Sequence, residues 1–257
     1  LQPLQKKCKG FFDGKGSDDM KICIDAGHGG HDPGAVAGSI QEKTIALSIA
    51  REVGNLLSAA GAEVSYTRKT DVFVSLGERA ESANRVQADL FLSIHCNSSN
   101  SLSANGVETL VYGMDGISDA LGNEISIDLS DRLSLRNRDV KVRRDLVVLN
   151  STNMPAILVE TAFLSNEADR KKLISQQQSF ANAIADTVCR YYNLNQKGED
   201  DMERYKTMAD VPSWGKETVQ KLLDKGFLFG NEKGELNLSE DMVRVFVTND
   251  RAGLYGK

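Results

Sequence analysis

The chain reads as an α/β protein: a twisted, largely parallel sheet flanked by helices on both faces, with a small, mainly helical C-terminal domain. Three observations carry that reading. Short apolar runs (Ile22–Ile24, Leu90–Ile94, Ala156–Val159) alternate with longer segments whose apolar residues recur every three or four positions. Each run stops abruptly at a chemically active residue: the first at Asp25-Ala-Gly-His28-Gly-Gly, the second at His95, the third at Glu160. A polar stretch, Asn193 to Arg204, then separates these elements from a compact remainder with its own helical periodicity.

In order, residues 1–19 are polar, aperiodic and open without Met, whereas Met20 stands directly before the first strand. They read as an added leader outside the fold, with Met20 as the natural start. The alternative is the trimmed leader or linker of a longer secreted protein. Ile45, Ile49, Val53, Leu56 and Ala60 predict a helix from Glu42, closed by Gly61. Ala62–Thr67 is a short strand. Ser75-Leu-Gly-Glu78 is a capping box opening a helix with Leu76, Ala80, Ala83 and Gln87 on one face. Gly106–Tyr112 reads as a strand, and Leu121, Ile125 and Leu129 mark a helix. Arg136–Arg144 reads as a solvated, mixed-charge loop, a specific anion site being the alternative. Val147–Leu149 reads as a short strand. Phe180, Ile184 and Val188 align on the second of two closing helices. The domain boundaries that follow are 20–194 for the main fold, 195–204 for the linker and 205–257 for the C-terminal domain. There Pro212-Ser213 opens a helix ending at Gly226, and Ser239-Glu-Asp opens another ending near Gly253.

The composition excludes several classes. The 257 residues carry a net charge of −5, which gives no field to draw nucleic acid. No apolar run approaches the roughly 20 residues that span a bilayer. Four cysteines (Cys8, Cys23, Cys96, Cys189) lie far apart without C-x-x-C spacing, which argues against a thiolate metal site; Cys23 and Cys96 read as small core residues.

The chemistry gathers at the strand ends, where open α/β sheets place reactive groups. A catalytic zinc takes three ligands of the His, Glu or Cys type and leaves one position open; His28, Glu42 and His95 fit that set. The alternative is that His28 caps the Gly-rich loop and His95 is a satisfied strand-end histidine. His31, in the same loop as His28, is a substrate contact, a reserve ligand or a surface residue. Glu160, directly after four apolar residues, would be buried at a cost unless it is paired or working. Beside a metal it suits a general base; otherwise it caps the next helix or bridges to an arginine.

Seven separated motifs extend this pattern. Asp25-Ala-Gly-His28-Gly-Gly with Gly34-Ala35 and Gln41-Glu42-Lys43, Thr67-Arg68 with Asp71, Leu76 with Arg79 and Ala83-Asn84, Ser93-Ile94-His95-Cys96-Asn97, Gly106-Val107-Glu108, Leu158-Val159-Glu160 and Phe163-Leu-Ser-Asn166 resemble, in order and spacing, the type 3 N-acetylmuramoyl-L-alanine amidases. The resemblance covers about Lys21 to Leu194. It implies one zinc ion held at His28, Glu42 and His95, and a catalytic glutamate at Glu160. It implies hydrolysis of the amide joining the lactyl group of N-acetylmuramic acid to L-alanine in bacterial peptidoglycan. Asn97 and Asn166, inside these motifs, join His31 as candidate substrate contacts. Cys96 stands where a small residue such as Ala is usual, and His31 is extra. Some relatives carry a helix that occludes the site; Gly113–Arg144 accounts for one ordinary helix, so an unblocked site is expected.

Asp210-Val211, Trp214, Leu222, Gly226, Gly230, Gly234 and Arg244 more loosely resemble one S-layer-homology repeat, a module that attaches proteins to cell-wall polymers, here in a single copy with Leu-Ser-Glu-Asp in place of the usual Thr-Arg stretch. The other reading of this domain is a homodimerisation or stability appendage. With Met20 as the start there is no signal peptide and the thiols suit a reducing cytosol, so a phage endolysin, made in the cytoplasm and acting at the wall, is the expected role. A host autolysin or sporulation amidase is the alternative enzyme, and a catalytically silent wall-binding protein the alternative class. Neither nucleic acid nor a membrane is an expected partner.

Overall fold

The computed structural model describes residues 20–114, 116–194, 205–230, 235–236, 238 and 240–256. The readings of 1–19 as a leader and 195–204 as a linker, and those placed on Gly234 and Ser239, lie outside the described residues. The chain divides into two compact units, 1–195 and 196–257.

The first unit is built on a six-stranded sheet in the order β4-β1-β5-β8-β6-β7. The strands are β1 (Lys21–Ala26), β4 (Glu63–Tyr66), β5 (Leu90–Asn97), β6 (Val107–Val111), β7 (Asn137–Val142) and β8 (Ala156–Phe163); β2 (Val36–Ala37) and β3 (Ile40–Gln41) form a separate small hairpin. β4, β1, β5 and β8 run parallel, β6 runs antiparallel to β8, and β7 is parallel to β6. The helices are α1 (Glu42–Ala59), α2 (Leu76–Arg85), α3 (Ser118–Leu133), the single turn α4 (Val147–Asn150), α5 (Glu167–Ser175) and α6 (Gln177–Tyr192).

Because strand side chains alternate between faces, each strand feeds two cores. Ile22, Ile24, Leu90, Leu92, Ile94, Ile157 and Val159 meet Ile45, Ile49 and Val53 of α1, Leu121 and Ile125 of α3, and Phe180 and Ile184 of α6 on the thicker side. Cys23, Phe91, Leu110, Ala156 and Leu158 meet Ala83 of α2 and Val148 and Leu149 of α4 on the thinner side. A fully buried Ile or Phe contributes about 1.5–3 kcal/mol, so the three-helix face supplies most of the cohesion. Asp25, Ser93, His95, Glu160 and Glu108 share the parity of the thinner face. The polar site therefore emerges where the short α2 and α4 stop covering the sheet.

Several local expectations change. β5 and β8 do not end at His95 and Glu160 but continue to Asn97 and Phe163. Arg136–Arg144 is not a loop: its residues 137–142 form β7, the sheet edge, where charged side chains suit an unpaired border and hide the strand period. Val147–Leu149 is helical, in α4; three consecutive apolar residues carry no period to tell the two states apart. Gln87 lies past the end of α2 in a left-handed conformation (φ 52°), and Leu76 is exposed, so the buried face of α2 is Arg79, Ala80 and Ala83. The capping box at Ser75 and Glu78 is formed as expected.

In the second unit, α7 (Ser213–Asp224) and α8 (Glu240–Arg251) pack through Val211, Val219, Leu238, Val243 and Val247. Gly215 lets them close: a Cβ there would strike Val243. Lys221 reaches Asp250 at 2.6 Å across the pair. No described helix of the chain is long and apolar enough to cross a membrane.

Candidate metal centre

The loop after β1 is held by two buried arginines. Arg79 donates to the Asp25 carboxylate (2.7 Å), the Ala26 carbonyl (2.6 Å) and the His28 carbonyl (2.7 Å). Arg68 donates to the carbonyls of Ala26, Gly27 and Lys43 at 2.7–2.9 Å. These bonds over-determine the turn and hold His28 at φ 58°, a left-handed conformation that a non-glycine residue adopts only at a cost. Asp25 also accepts from Thr67 and Ser93. Burial works against its charge, yet Arg79 and the two hydroxyls hold its carboxyl below the usual carboxylate range.

The turn aims His28 at Glu42, the first residue of α1. His28 Nε2 lies 3.1 Å from Glu42 Oε1, and His95 Nδ1 lies 2.9 Å from the same oxygen. One ligand atom from each of the three falls within 4.8 Å of the others. The two imidazoles meet edge to face, centroids 4.9 Å apart. Two glycines make room: a Cβ on Gly27 would land on the His95 ring, and one on Gly34 would strike both His28 and Glu42.

Asp32 supports the cluster from behind. His28 Nδ1 sits 2.8 Å from Asp32 Oδ2, a bond that keeps a proton on Nδ1 and so makes Nε2, on the Glu42 side, the nitrogen that can give up its proton to a metal. Glu42 is itself fixed by the backbone N–H groups of Ala35 and Cys96. Burial disfavours an imidazolium, but Glu42 and Asp32 outweigh it and raise the His28 pKa to about 9. His95 moves the same way, burial being outweighed by Glu42 and Glu160. Burial also opposes the charge of Glu42, and both histidines overcome it and lower its pKa. Such a site asks for positive charge. Two imidazoles and a carboxylate at this separation fit a divalent zinc-type ion. Cys96 is not part of the cluster; burial pushes its thiol well above the ordinary value.

Glu160 stands beside this group. It is the register partner of His95 on one side and of Glu108 on the other. Its Oε2 is sealed from solvent and has no hydrogen-bond partner among the described residues. Burial raises its pKa to about 7 against the pull of His95, with Glu42 and Glu108 adding to the rise. A carboxylate kept unpaired next to a cation site is poised to exchange a proton near neutral pH.

The other sequence candidates lie outside the three-ligand cluster. His31 is exposed and packs on Phe73, centroids 4.2 Å apart, outside the three-ligand cluster. Asn97 donates to Glu108 (2.8 Å) while its carbonyl takes the Ser98 N–H. Asn166 caps α5 and donates to Leu102, and it lines a cleft of about 1060 Å³ with Val36, Gly38, Arg170 and Lys171. Sequence reasoning gave no role to Asp32, to the Arg68–Arg79–Asp25 clamp, or to Glu108 with Arg138. Asp32, four residues after His28 in the same loop, carried a readable signal; the others meet only across strands.

Relatives share this fold and much of its sequence. A family model described as N-acetylmuramoyl-L-alanine amidase matches residues 22–190. The N-acetylmuramoyl-L-alanine amidase LytC of Bacillus subtilis (strain 168) is 41% identical over 175 residues, covering 66% of this chain and 35% of that protein, so the chain spans about a third of its length. The endolysin of Bacillus phage SPP1 is 33% identical over 236 residues, covering 87% of this chain and 84% of the endolysin. Among solved structures, the catalytic domain of CwlV, an N-acetylmuramoyl-L-alanine amidase from Bacillus (Paenibacillus) polymyxa var. colistinus, superposes with a TM-score of 0.64 at 34% identity, over 68% of this chain and 99% of that one. With the family model running from β1 into α6, about two thirds of the sequence, the chain belongs to the N-acetylmuramoyl-L-alanine amidase family.

Proposed function

We propose that the chain is a zinc-dependent hydrolase of the amide between the lactyl group of N-acetylmuramic acid and L-alanine in peptidoglycan, with His28, Glu42 and His95 as metal ligands and Glu160 as general base. The observation that carries this reading is the sealed, unpartnered Oε2 of Glu160, in register beside His95. When bound, the ion polarises the scissile carbonyl and acidifies a water at its open position. Glu160 takes the proton of the attacking water and returns it to the departing alanine nitrogen. Asp32 keeps the His28 imidazole aimed from behind, and the arginine clamp keeps the loop from relaxing out of its strained turn. Glu160→Gln retains the metal and loses turnover; a variant that still releases dye from labelled walls at the parent rate removes Glu160 from this role.

The endolysin role rests on coverage. The match to the SPP1 endolysin spans 87% of this chain, more than the 195 of 257 residues in the first unit, so it enters the second unit. The match to LytC covers only 66% and that to the sporulation-specific amidase of Bacillus subtilis (strain 168) 80%, so coverage favours the endolysin narrowly over the second. A host autolysin or sporulation amidase predicts transcription during growth or sporulation; an endolysin predicts transcription only on phage induction. A catalytically silent wall-binding protein would hold no zinc and release no dye. The second unit, with Phe227 and Phe229 exposed, is read as a wall-attachment module. Dimerisation in solution without retention on purified walls would reassign it.

A further inference from the structure

The basic edge strand β7 is not absorbed by the hydrolytic reading. Glu160 and Glu108 are register partners, and Glu108 accepts 2.8 Å hydrogen bonds from Asn97 Nδ2 and from Arg138 Nε on β7. His95, Glu160, Glu108 and Arg138 therefore form one lateral row across four neighbouring strands. Arg138 is preorganised: besides the bond to Glu108, its guanidinium lies 4.9 Å over the Phe163 ring and its Nη1 approaches the Asn105 carbonyl. Its Nη2 takes no partner among the described residues, and the side chain keeps a quarter of its surface open to solvent. Lys141 comes within 3.8 Å of the same Glu108 carboxylate, so two cations flank the neighbouring carboxylates of Glu108 and Glu160. Arg143 feels the charges of both Glu160 and Glu108, although Asp145 holds it in a two-pronged pair. Asp139, also on β7, is exposed at a bulge. This sets an arginine and a lysine at the sheet edge next to the catalytic carboxylate.

Accepting the amidase reading, we infer that Arg138, seconded by Lys141, binds the free α-carboxylate of the residue that follows L-alanine in the substrate peptide, and so selects stems with an acid there over stems with an amide. The spacing fits. Adjacent strands lie about 4.8 Å apart, and Arg138 reaches back over Glu108, so its guanidinium stands roughly one to two strand spacings from Glu160. The carboxylate in question is about two residues from the attacked carbonyl, roughly 7 Å along an extended chain. An arginine already fixed by a carboxylate and a ring loses little freedom on taking a second anion, and its planar fork suits one. Arg138 acts here as a specificity residue; it takes no part in the proton transfers.

The test uses the full chain, loaded with zinc, and two soluble muramoyl-peptides that differ only in D-isoglutamate or D-isoglutamine at the second position. The parent should favour the acid in kcat/KM by about tenfold to a hundredfold, the range of a charge-assisted hydrogen bond, mostly through KM. Added salt should shrink that preference. Arg138→Gln should bring the acid-to-amide ratio to about one, and Arg138→Lys should restore part of it. A parent without preference, or an Arg138→Gln variant that keeps the parent ratio, overturns the inference; the parent ratio stands as evidence even if the variant folds poorly. Failure to cleave either substrate at the lactyl amide overturns the amidase reading as well.

Discussion

His95 and Glu160 are partners across two neighbouring parallel strands, with side chains on the same face about one strand spacing (~4.8 Å) apart. The relationship sets a ligand and a base side by side without any loop having to bring them together. Rigid strands hold such a pair more closely than loops do.

Glu160→Gln removes the base and little else, because Oε2 has no partner to lose. Turnover should fall by about 10²–10⁴ with zinc content unchanged by elemental analysis. The parent's kcat/KM should rise with pH along an acid limb lying below pH 7. Burial sets the Glu160 pKa at about 7 without the ion, and a dication beside it lowers that value. An acid limb centred above pH 7 would contradict the assignment.

Asp32→Ala should leave the fold intact and weaken zinc binding by about 10- to 100-fold, the usual consequence of losing the partner behind a ligating imidazole. Competition with a metallochromic chelator measures it. Excess chelator should silence the parent, and zinc should restore it.

Gly27→Ala places a methyl group on the His95 ring. The strand and its core are untouched, so thermal melting should change modestly while zinc stoichiometry and wall lysis collapse together. Full zinc occupancy in this variant would show that His95 is not pinned by the loop.

Asp25→Asn leaves Arg79 buried with its charge uncompensated, at a cost of about 3–5 kcal/mol, read as a lower denaturant midpoint. The parent should show the same linkage with acid. The folded-state pKa of Asp25 lies below its unfolded value, so its stabilisation is complete above about pH 4 and fades as pH falls through the lower folded value. The variant should lack that component of acid unfolding.

Activity should need no partner or trimming. The segment between β6 and β8 packs α3 onto β6, β7 and α6, with Leu121, Ile125 and Leu129 buried in the thicker core. Dye release by the purified full chain checks this, and a lag removed only by proteolysis would contradict it.

Sequence alone determined the α/β class and the capping box at Ser75, because hydrophobic period and cap chemistry are local properties. It also singled out His28, Glu42 and His95 as a zinc-type ligand set, and Glu160 because a carboxylate at the end of an apolar run costs too much to be idle. It misjudged β7, whose Arg138 and Lys141 read as solvated loop, because an edge strand carries charge and shows no period. Only the tertiary structure decided that Glu108 stands next to Glu160, that Asp32 backs His28, and that Arg68 and Arg79 fasten the loop that aims it. Those relations depend on strand order and register, which arise when six strands pair at once; no spacing along the chain encodes them.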